Sequence, residues 1–381
     1  MKFMALGGAD SVGASAYFVE LDGYKLLLDC GRGKLNNGRS FGPDYMSLLD
    51  EGIVDSLYEL DAILLSHAHF DHIGALEFFA RSCPNTPIYA TGMTKQLGSV
   101  LLWDRLALEE DETGLLKLYK EMAIDRAMER LLPVGFNRPF AIGPVKVAFY
   151  EAGHIPGAAM IYLKGTNASV LYTGDYKFEA TGLTGGASLP ESVKADVLIL
   201  CGMHSRHPSH RTNNSINYRL PYINDCLGKG ESVFLQVTQL TKGLEILRLC
   251  RAKLPRVRFY LDRKVWSLAE QMESLGVSVV DPLCSCFDYP DRNNIGIYIG
   301  GAGRKRFFKN RVLLDFSLHS SFDDDVELIR STQAKNVFVV HSPAGRNAWS
   351  NTALAKTLPD VGVIYPAKGH LYVDENEEAL G

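Results

Sequence analysis

The sequence predicts an α/β protein: one layered domain interrupted by a smaller α/β insertion. Three observations lead there. Apolar runs of strand length alternate with helical patterns along the whole chain. Histidines and aspartates recur where those apolar runs end. Between Cys201 and Asn310 the pattern tightens into a short βαβαβ succession, which favours a parallel sheet of its own. The expected boundaries are 1–200 for the first part of the main domain, 201–310 for the insertion and 311–381 for the return.

The elements follow in order. Met1–Ala5 is an opening strand and lacks the long apolar core of a signal peptide. Leu6–Ser15 is a glycine-rich hairpin. Asp29 ends the apolar run Lys25–Leu28, and Cys30-Gly31 follow. Ala62–Leu65 reads as a buried strand and leads into His67-Ala68-His69-Phe70-Asp71-His72. This stretch, an HxHxDH pattern, is the most informative of the chain. A strand-to-helix loop can turn all four polar heads to one point, and imidazole nitrogen with carboxylate oxygen suits zinc and similar borderline metals. The other reading, a polar surface loop, fits poorly with only ten histidines in 381 residues.

Helical patterns fill roughly 93–131, with the acidic run Glu109–Glu112 on the rim. A strand Val147–Tyr150 precedes His154, and Leu171–Asp175 closes another strand on an aspartate. Within the insertion, strands are expected at Ser232–Val237, Arg258–Asp262 and Val277–Asp281, with helices at Gly243–Lys253 and Val265–Leu275. Val312–Asp315 and Asn336–Val340 read as buried strands running into His319 and His341, with a helix Phe322–Thr332 between them. His370 opens an alternating strand near the end and competes with His341 as a ligand.

Composition narrows the class. Hydrophobic residues make up 46% and glycines number 35, as in an α/β protein with many tight turns. No apolar stretch reaches the roughly eighteen residues of a membrane span. Seven cysteines, an odd number without regular spacing, point to a reducing, cytoplasmic setting; the close pair Cys284 and Cys286 is read as structural. A net charge of −4 does not mark a nucleic-acid binder, but clustered charge matters more than the sum. Two basic clusters, His204–Arg211 and Arg304–Arg311, are candidate phosphate tracks, with His207, Arg211, Arg304, Lys305 and Arg306 as contact residues.

Taken in order, the HxHxDH loop, Asp29, His154 and Asp175 resemble the metallo-β-lactamase superfamily. The glycine-rich opening, the FSxH element at Phe316–His319 and the VxVH-like element ending at His341 are similar to its β-CASP nuclease branch. The resemblance implies an αββα sandwich with an inserted β-CASP-like domain. It implies two divalent metals, zinc first and manganese or iron as substitutes. His67, His69 and His154 would hold one, Asp71, His72 and His341 the other, and Asp175 would bridge them. Asp29 would orient the ligand loop from behind. Asp71, Asp175 and His319 would be catalytic, with His319 facing the scissile phosphate as general acid or charge stabiliser.

The sequence departs from the branch in three places. Cys201 stands where an acid is expected to pair with the late histidine, Ser321 stands where an Asp is usual, and Ser342-Pro343 replaces Gly-Glu. No metal ligand is missing. The resemblance therefore implies a two-metal phosphodiesterase acting on RNA or single-stranded DNA, with nucleic acid as partner, no membrane, and room for a homo-oligomer. A hydrolase of a small phosphodiester or ester, and a non-catalytic nucleic-acid-binding subunit, are the competing readings.

Overall fold

The computed structural model describes residues 1–9, 11–34, 40–106, 115–205, 216–291, 293–314, 316–342 and 353–373, with side chains left aside at 104–106 and 115–120. Internal contacts divide the chain into two units. The first comprises Met1–Glu179, Gly186–Arg211 and His319–Gly381; the second comprises Ala180–Gly185 and Thr212–Leu318.

The first unit contains two seven-stranded sheets. One runs, edge to edge, through Leu371–Val373, Lys2–Gly7, Ala16–Leu21, Tyr24–Leu28, Ala62–Leu64, Ile88–Thr91 and Leu131–Val134. The other runs through Gly362–Ile364, Asn336–Val340, Val197–Cys201, Ser169–Tyr172, Ala159–Lys164, Val145–Glu151 and Phe140–Ile142. Alternate residues of both sheets meet in one core: Phe3, Tyr17, Val19, Leu26, Leu28 and Leu64 from the first, Val147, Phe149, Ile161, Val170, Ile199 and Phe338 from the second. The intervening residues Met4, Phe18, Leu27, Ile63, Leu171, Leu198 and Val339 are equally buried. A sheet buried on both faces needs helices outside it. Gly92–Leu106 packs on the far strands of the first sheet, and Ala353–Thr357 packs on the edge of the second. The result is the four-layer αββα sandwich.

Strand direction places the functional residues. Tyr24–Leu28, Ala62–Leu64 and Ile88–Thr91 are parallel, as are Ser169–Tyr172, Val197–Cys201 and Asn336–Val340. Val145–Glu151 is antiparallel to Ala159–Lys164, which is antiparallel to Ser169–Tyr172, so it points the same way as the latter. Like-pointing strands end at one edge, and loops that follow them gather there. Asp29, His67, His154, Asp175, Cys201 and His341 all follow or close such ends.

The second unit contains a five-stranded parallel sheet ordered Cys284–Phe287, Phe259–Asp262, Ile297–Gly301, Val233–Val237 and Asn310–Leu313. Helices Leu240–Lys253 and Arg263–Ser274 lie close to their expected places. Two expectations change. Val277–Asp281 is not a strand, because the backbone N–H groups of Val279 and Val280 donate to the Glu273 carboxylate, at 2.5 and 2.8 Å. The ladder is taken up instead by Cys284–Phe287. Asn310–Leu313 is an edge strand with Arg311 and Leu313 exposed, paired to Val233–Val237, so it belongs to the second unit's sheet rather than to a buried return strand. No described helix is long and apolar enough to cross a membrane.

Phe3 is fully buried and stacks on Phe338 from the facing sheet at 4.3 Å between ring centroids. Phe3→Ala removes a ring at the seam between the sheets. Urea unfolding should show a loss of about 3–5 kcal/mol, with the denaturant slope unchanged.

Candidate metal centre

The HxHxDH loop is fixed by backbone before any side chain is considered. Asp71 O accepts from Ser15 N at 2.9 Å, His72 O from Cys30 N at 2.8 Å and Phe70 O from Arg32 N at 3.1 Å. Gly31 has to be glycine, because a Cβ there would overlap the Asp71 carbonyl. The strand-end segment 29–32 is thus a template for the ligand loop.

Asp29 holds the loop from behind. It is fully buried and its φ is +59°, in the left-handed region. Its carboxylate accepts from Ser66 N at 2.7 Å, Ser66 Oγ at 2.6 Å, Tyr172 OH at 2.5 Å and His72 Nδ1 at 2.7 Å. With Nδ1–H committed to Asp29, His72 presents Nε2 to the centre. That atom is buried and has no hydrogen-bond partner among the described residues.

Around this loop the ligand atoms fall into two sets. In one, His69 Nδ1 lies 3.2 Å from His67 Nε2 and 3.1 Å from His154 Nε2, while Asp175 Oδ2 lies 3.7 and 3.8 Å from the latter two. In the other, His341 Nε2 lies 3.7 Å from Asp71 Oδ2, and Asp175 Oδ1 lies 3.5 Å from His72 Nε2 and 3.8 Å from His341 Nε2. Ligands about 2.0–2.1 Å from a tetrahedral ion lie roughly 3.4 Å apart. Both sets have that spacing, and Asp175 offers one oxygen to each. An orphaned buried imidazole nitrogen and two such donor sets fit divalent metals.

The electrostatics agree. Burial depresses the His67 imidazole well below its usual range and takes His69 down to about 3, with His154 adding to the latter. Burial also opposes charge on His72, but Asp175 and Asp29 outweigh it and hold that imidazole well above its usual range. Burial would likewise raise Asp175, yet His341, His72 and His319 keep it well below the usual carboxylate range. Two neutral-leaning imidazoles and an anion, His67, His69 and Asp175, aimed at one point suit a cation.

His319 stands beside this centre. Its Nδ1 is 3.8 Å from Asp175 Oδ2 and 3.8 Å from Cys201 Sγ, and a fifth of its side chain stays exposed. Burial pushes the imidazole well below its usual range; Asp175 opposes that, and His154 and His341 reinforce it. Cys201 directs its thiol to Asp175 Oδ1 at 3.2 Å, and burial together with that carboxylate pushes it well above the usual thiol range. Ser321 caps the helix Phe322–Thr332, its Oγ accepting from Asp324 N at 3.3 Å. Serine and aspartate serve that position alike.

His370 does not join the centre; its ring stacks edge-on against Tyr372. Arg304, Lys305 and Arg306 lie in a 3₁₀ turn of the second unit. His207 and Arg211 lie outside the described residues. Sequence reasoning missed Ser15, Ser66, Tyr172 and Thr173. Ser15 Oγ lies 3.1 Å from His341 Nδ1, and Gly8 O accepts from His341 N at 2.7 Å. The glycine-rich opening therefore seats His341. A hydroxyl next to a ligand motif was the available signal for Ser66; for the others there was none.

An αββα sandwich with two His/Asp donor sets at the shared strand edge defines a metal-binding α/β domain of the metallo-β-lactamase type. Residues 18–199 match the metallo-β-lactamase superfamily domain. Among curated proteins, the Integrator complex subunit 11 homolog of Dictyostelium discoideum is 30% identical over 65% of this chain and 33% of its own length. A ribonuclease of Thermus thermophilus is 28% identical over 69% of this chain and 58% of its own. A probable RNase of Methanocaldococcus jannaschii is 30% identical over 69% and 59%. The aligned stretches thus span between a third and three fifths of these relatives. A crystal structure of a protein of unknown function from Enterococcus faecalis shares the fold, with a TM-score of 0.64, 14% identity, and 98% and 99% of the two chains covered.

Replacing Asp29 by Asn turns an acceptor facing four donors into a partial donor. Asp29→Asn should keep the far-UV spectrum and lower affinity for divalent metal by about 10–100-fold, read by titration against a chromophoric chelator.

Proposed function

We propose that this protein is a metal-dependent phosphodiesterase that cleaves RNA, with single-stranded DNA as a second substrate. The observation that carries the proposal is the pair of donor sets sharing Asp175. His67, His69 and His154 would hold one ion, Asp71, His72 and His341 the other, and Asp175 would serve both. Zinc suits these nitrogen and oxygen ligands best, and manganese or iron could replace it. Held there, such ions would supply acidification of a water and polarisation of a phosphoryl oxygen.

The remaining work falls to the chain. Asp29 keeps His72 in one tautomer through Nδ1–H. Ser15 orients His341 in the same manner. Asp71 is the most exposed carboxylate of the centre, with 30% of its side chain open, and would accept a proton from the attacking water. His319, a fifth exposed beside Asp175, would face the scissile phosphate. Its depressed basicity favours hydrogen-bond donation to the developing negative charge, with proton delivery to the leaving oxygen once phosphate is bound. The relatives named as ribonucleases support RNA as substrate. All seven cysteines are free thiols, which supports a reducing, cytoplasmic setting.

Asp71→Ala and His72→Ala should each lower bound metal, measured by elemental analysis, and abolish cleavage of labelled single-stranded RNA. His370→Ala should change neither. Metal loss that followed His370 would defeat the ligand assignment.

His319→Ala should separate substrates by leaving group. Cleavage of RNA should fall by about 10²–10⁴, the usual worth of a positioned acid–base group. Turnover of a nitrophenyl phosphodiester, whose leaving group needs no proton, should fall far less. Equal losses on both would remove His319 from proton delivery.

A further inference from the structure

The second unit exposes aromatic rings beside cationic side chains. Tyr289 is 70% exposed and Phe307 is 37% exposed, and the two rings meet edge to face at 5.6 Å. They line a cavity of about 690 Å³ whose rim includes Lys309 and Asn310. The Arg304 guanidinium lies 5.8 Å from the Tyr289 ring centre, and that of Arg306 lies 4.9 Å from the Phe307 ring centre. A buried aromatic cluster of Phe234, Tyr260, Phe287, Tyr298 and Phe308 belongs to the same unit, and Phe308 also lines the cavity.

A second depression lies beside the edge strand Asn310–Leu313. Asn310 accepts at Oδ1 from Tyr222 OH at 3.3 Å, and Tyr222 lines that depression, of about 220 Å³, with Arg219, Arg311 and Leu313. Tyr218, 77% exposed, sits one turn before Tyr222 on the same helix face. Tyr218 and Tyr222 thus add two more exposed rings, with Arg219 and Arg311 beside Tyr222.

Charge fixes what the surface would accept. Asp288 is paired with Arg263 at 2.6 Å and with Arg304 at 3.9 Å, Glu231 is paired with Lys309 at 3.1 Å, and Asp291 also lines the cavity. Arg219, Lys305, Arg306 and Arg311 make no ion pair among the described residues. Exposed rings that stack bases, set among free cations that meet phosphates, are what binding of an unpaired strand requires. A duplex hides its base faces and could use only the cations.

We infer that this strip of the second unit is a base-stacking platform for single-stranded RNA, with Tyr289 and Phe307 as the principal rings. The inference names a substrate contact for the phosphodiesterase reading and rests on that reading for its biological use.

The test measures binding of a short labelled oligoribonucleotide by fluorescence anisotropy. It uses the full chain carrying Asp71→Ala, so that the strand is not consumed. Tyr289→Ala and Phe307→Ala should each weaken binding by about fivefold or more, while Tyr289→Phe and Phe307→Tyr should bind as the parent does. The salt dependence should stay unchanged in these ring variants. It should flatten by about 0.7 per lost phosphate contact when Arg304, Lys305 and Arg306 become Gln. Duplex RNA should be indifferent to the rings.

Ring variants that bind as tightly as the parent, or that lose duplex and single strand equally, would overturn the platform. So would a change of oligomeric state in Tyr289→Ala with unaltered RNA affinity, which would make the strip a protein contact. Turnover of a nitrophenyl phosphodiester by the metal-loaded chain is followed in parallel and should be the same with and without the rings. If the unsubstituted chain shows no turnover while ring-dependent RNA binding persists, the hydrolase reading fails and the platform stands.

Discussion

The buried carboxylate of Asp29 is the constraint on which the first unit depends. An isolated carboxylate without exposure is very costly, and it becomes tolerable only when its lone pairs are filled. Here the donors come from both sheets: Ser66 and His72 follow a strand of one sheet, and Tyr172 ends a strand of the other. The hydrogen bonds that make Asp29 tolerable therefore fix the spacing of the two sheets and the tautomer of His72 together. Tyr17, in van der Waals range of Tyr172 and bonded to Gly8 O, extends the same network to the hairpin that seats His341.

The charge pattern of the centre follows from that arrangement. His72 is pulled up by two carboxylates that also hydrogen-bond it, while at His67 and His69 burial outweighs the nearby carboxylates and pulls them down. Asp175 lies among His67, His72, His154, His319 and His341. A set of imidazoles with opposite tendencies around one carboxylate is poorly served by protons alone, since each proton gained by one ring disfavours the next. Two divalent ions would replace this competition by fixed coordination. The ligand loop itself is stapled by backbone to Ser15, Cys30 and Arg32, so its anchoring does not draw on the side chains that face the centre.

What was legible in the sequence was whatever depends on local order. The HxHxDH loop, Asp29, His154 and Asp175 could be located because each closes an apolar run. Parallel strands then bring such ends together without further information. Helix Phe322–Thr332 and strand Asn336–Val340 were equally plain. What was not legible depends on side chains reaching across the fold. Glu273 takes the backbone donors of Val279 and Val280, and no periodicity reveals that a helix residue will cancel a β-branched run. Ser15 and Tyr172 act over sequence separations of 326 and 143 residues, for which one sequence offers no signal. Leu313 looks like core by type but lies on an edge strand, where alternate side chains face out.

Cys201 shows how a single departure can be absorbed. With a carboxylate at this position, His319 would have an anionic partner, but Asp175 Oδ1 would face a second anion at the 3.2 Å now spanned by the thiol. A neutral thiol, held protonated by burial and by Asp175, instead donates toward that carboxylate. The backbone keeps the residue in place regardless, through Cys201 N to Thr173 Oγ1 at 2.9 Å and Gly202 N to Val340 O at 2.7 Å. His319 is then left with Asp175 itself as its nearest anion, at 3.8 Å. The late histidine and the shared carboxylate are thereby coupled directly. Any cation that draws on Asp175 weakens the support for a proton on His319, so full occupancy of the centre favours a neutral, hydrogen-bond-donating imidazole until an anionic phosphate beside it restores that support.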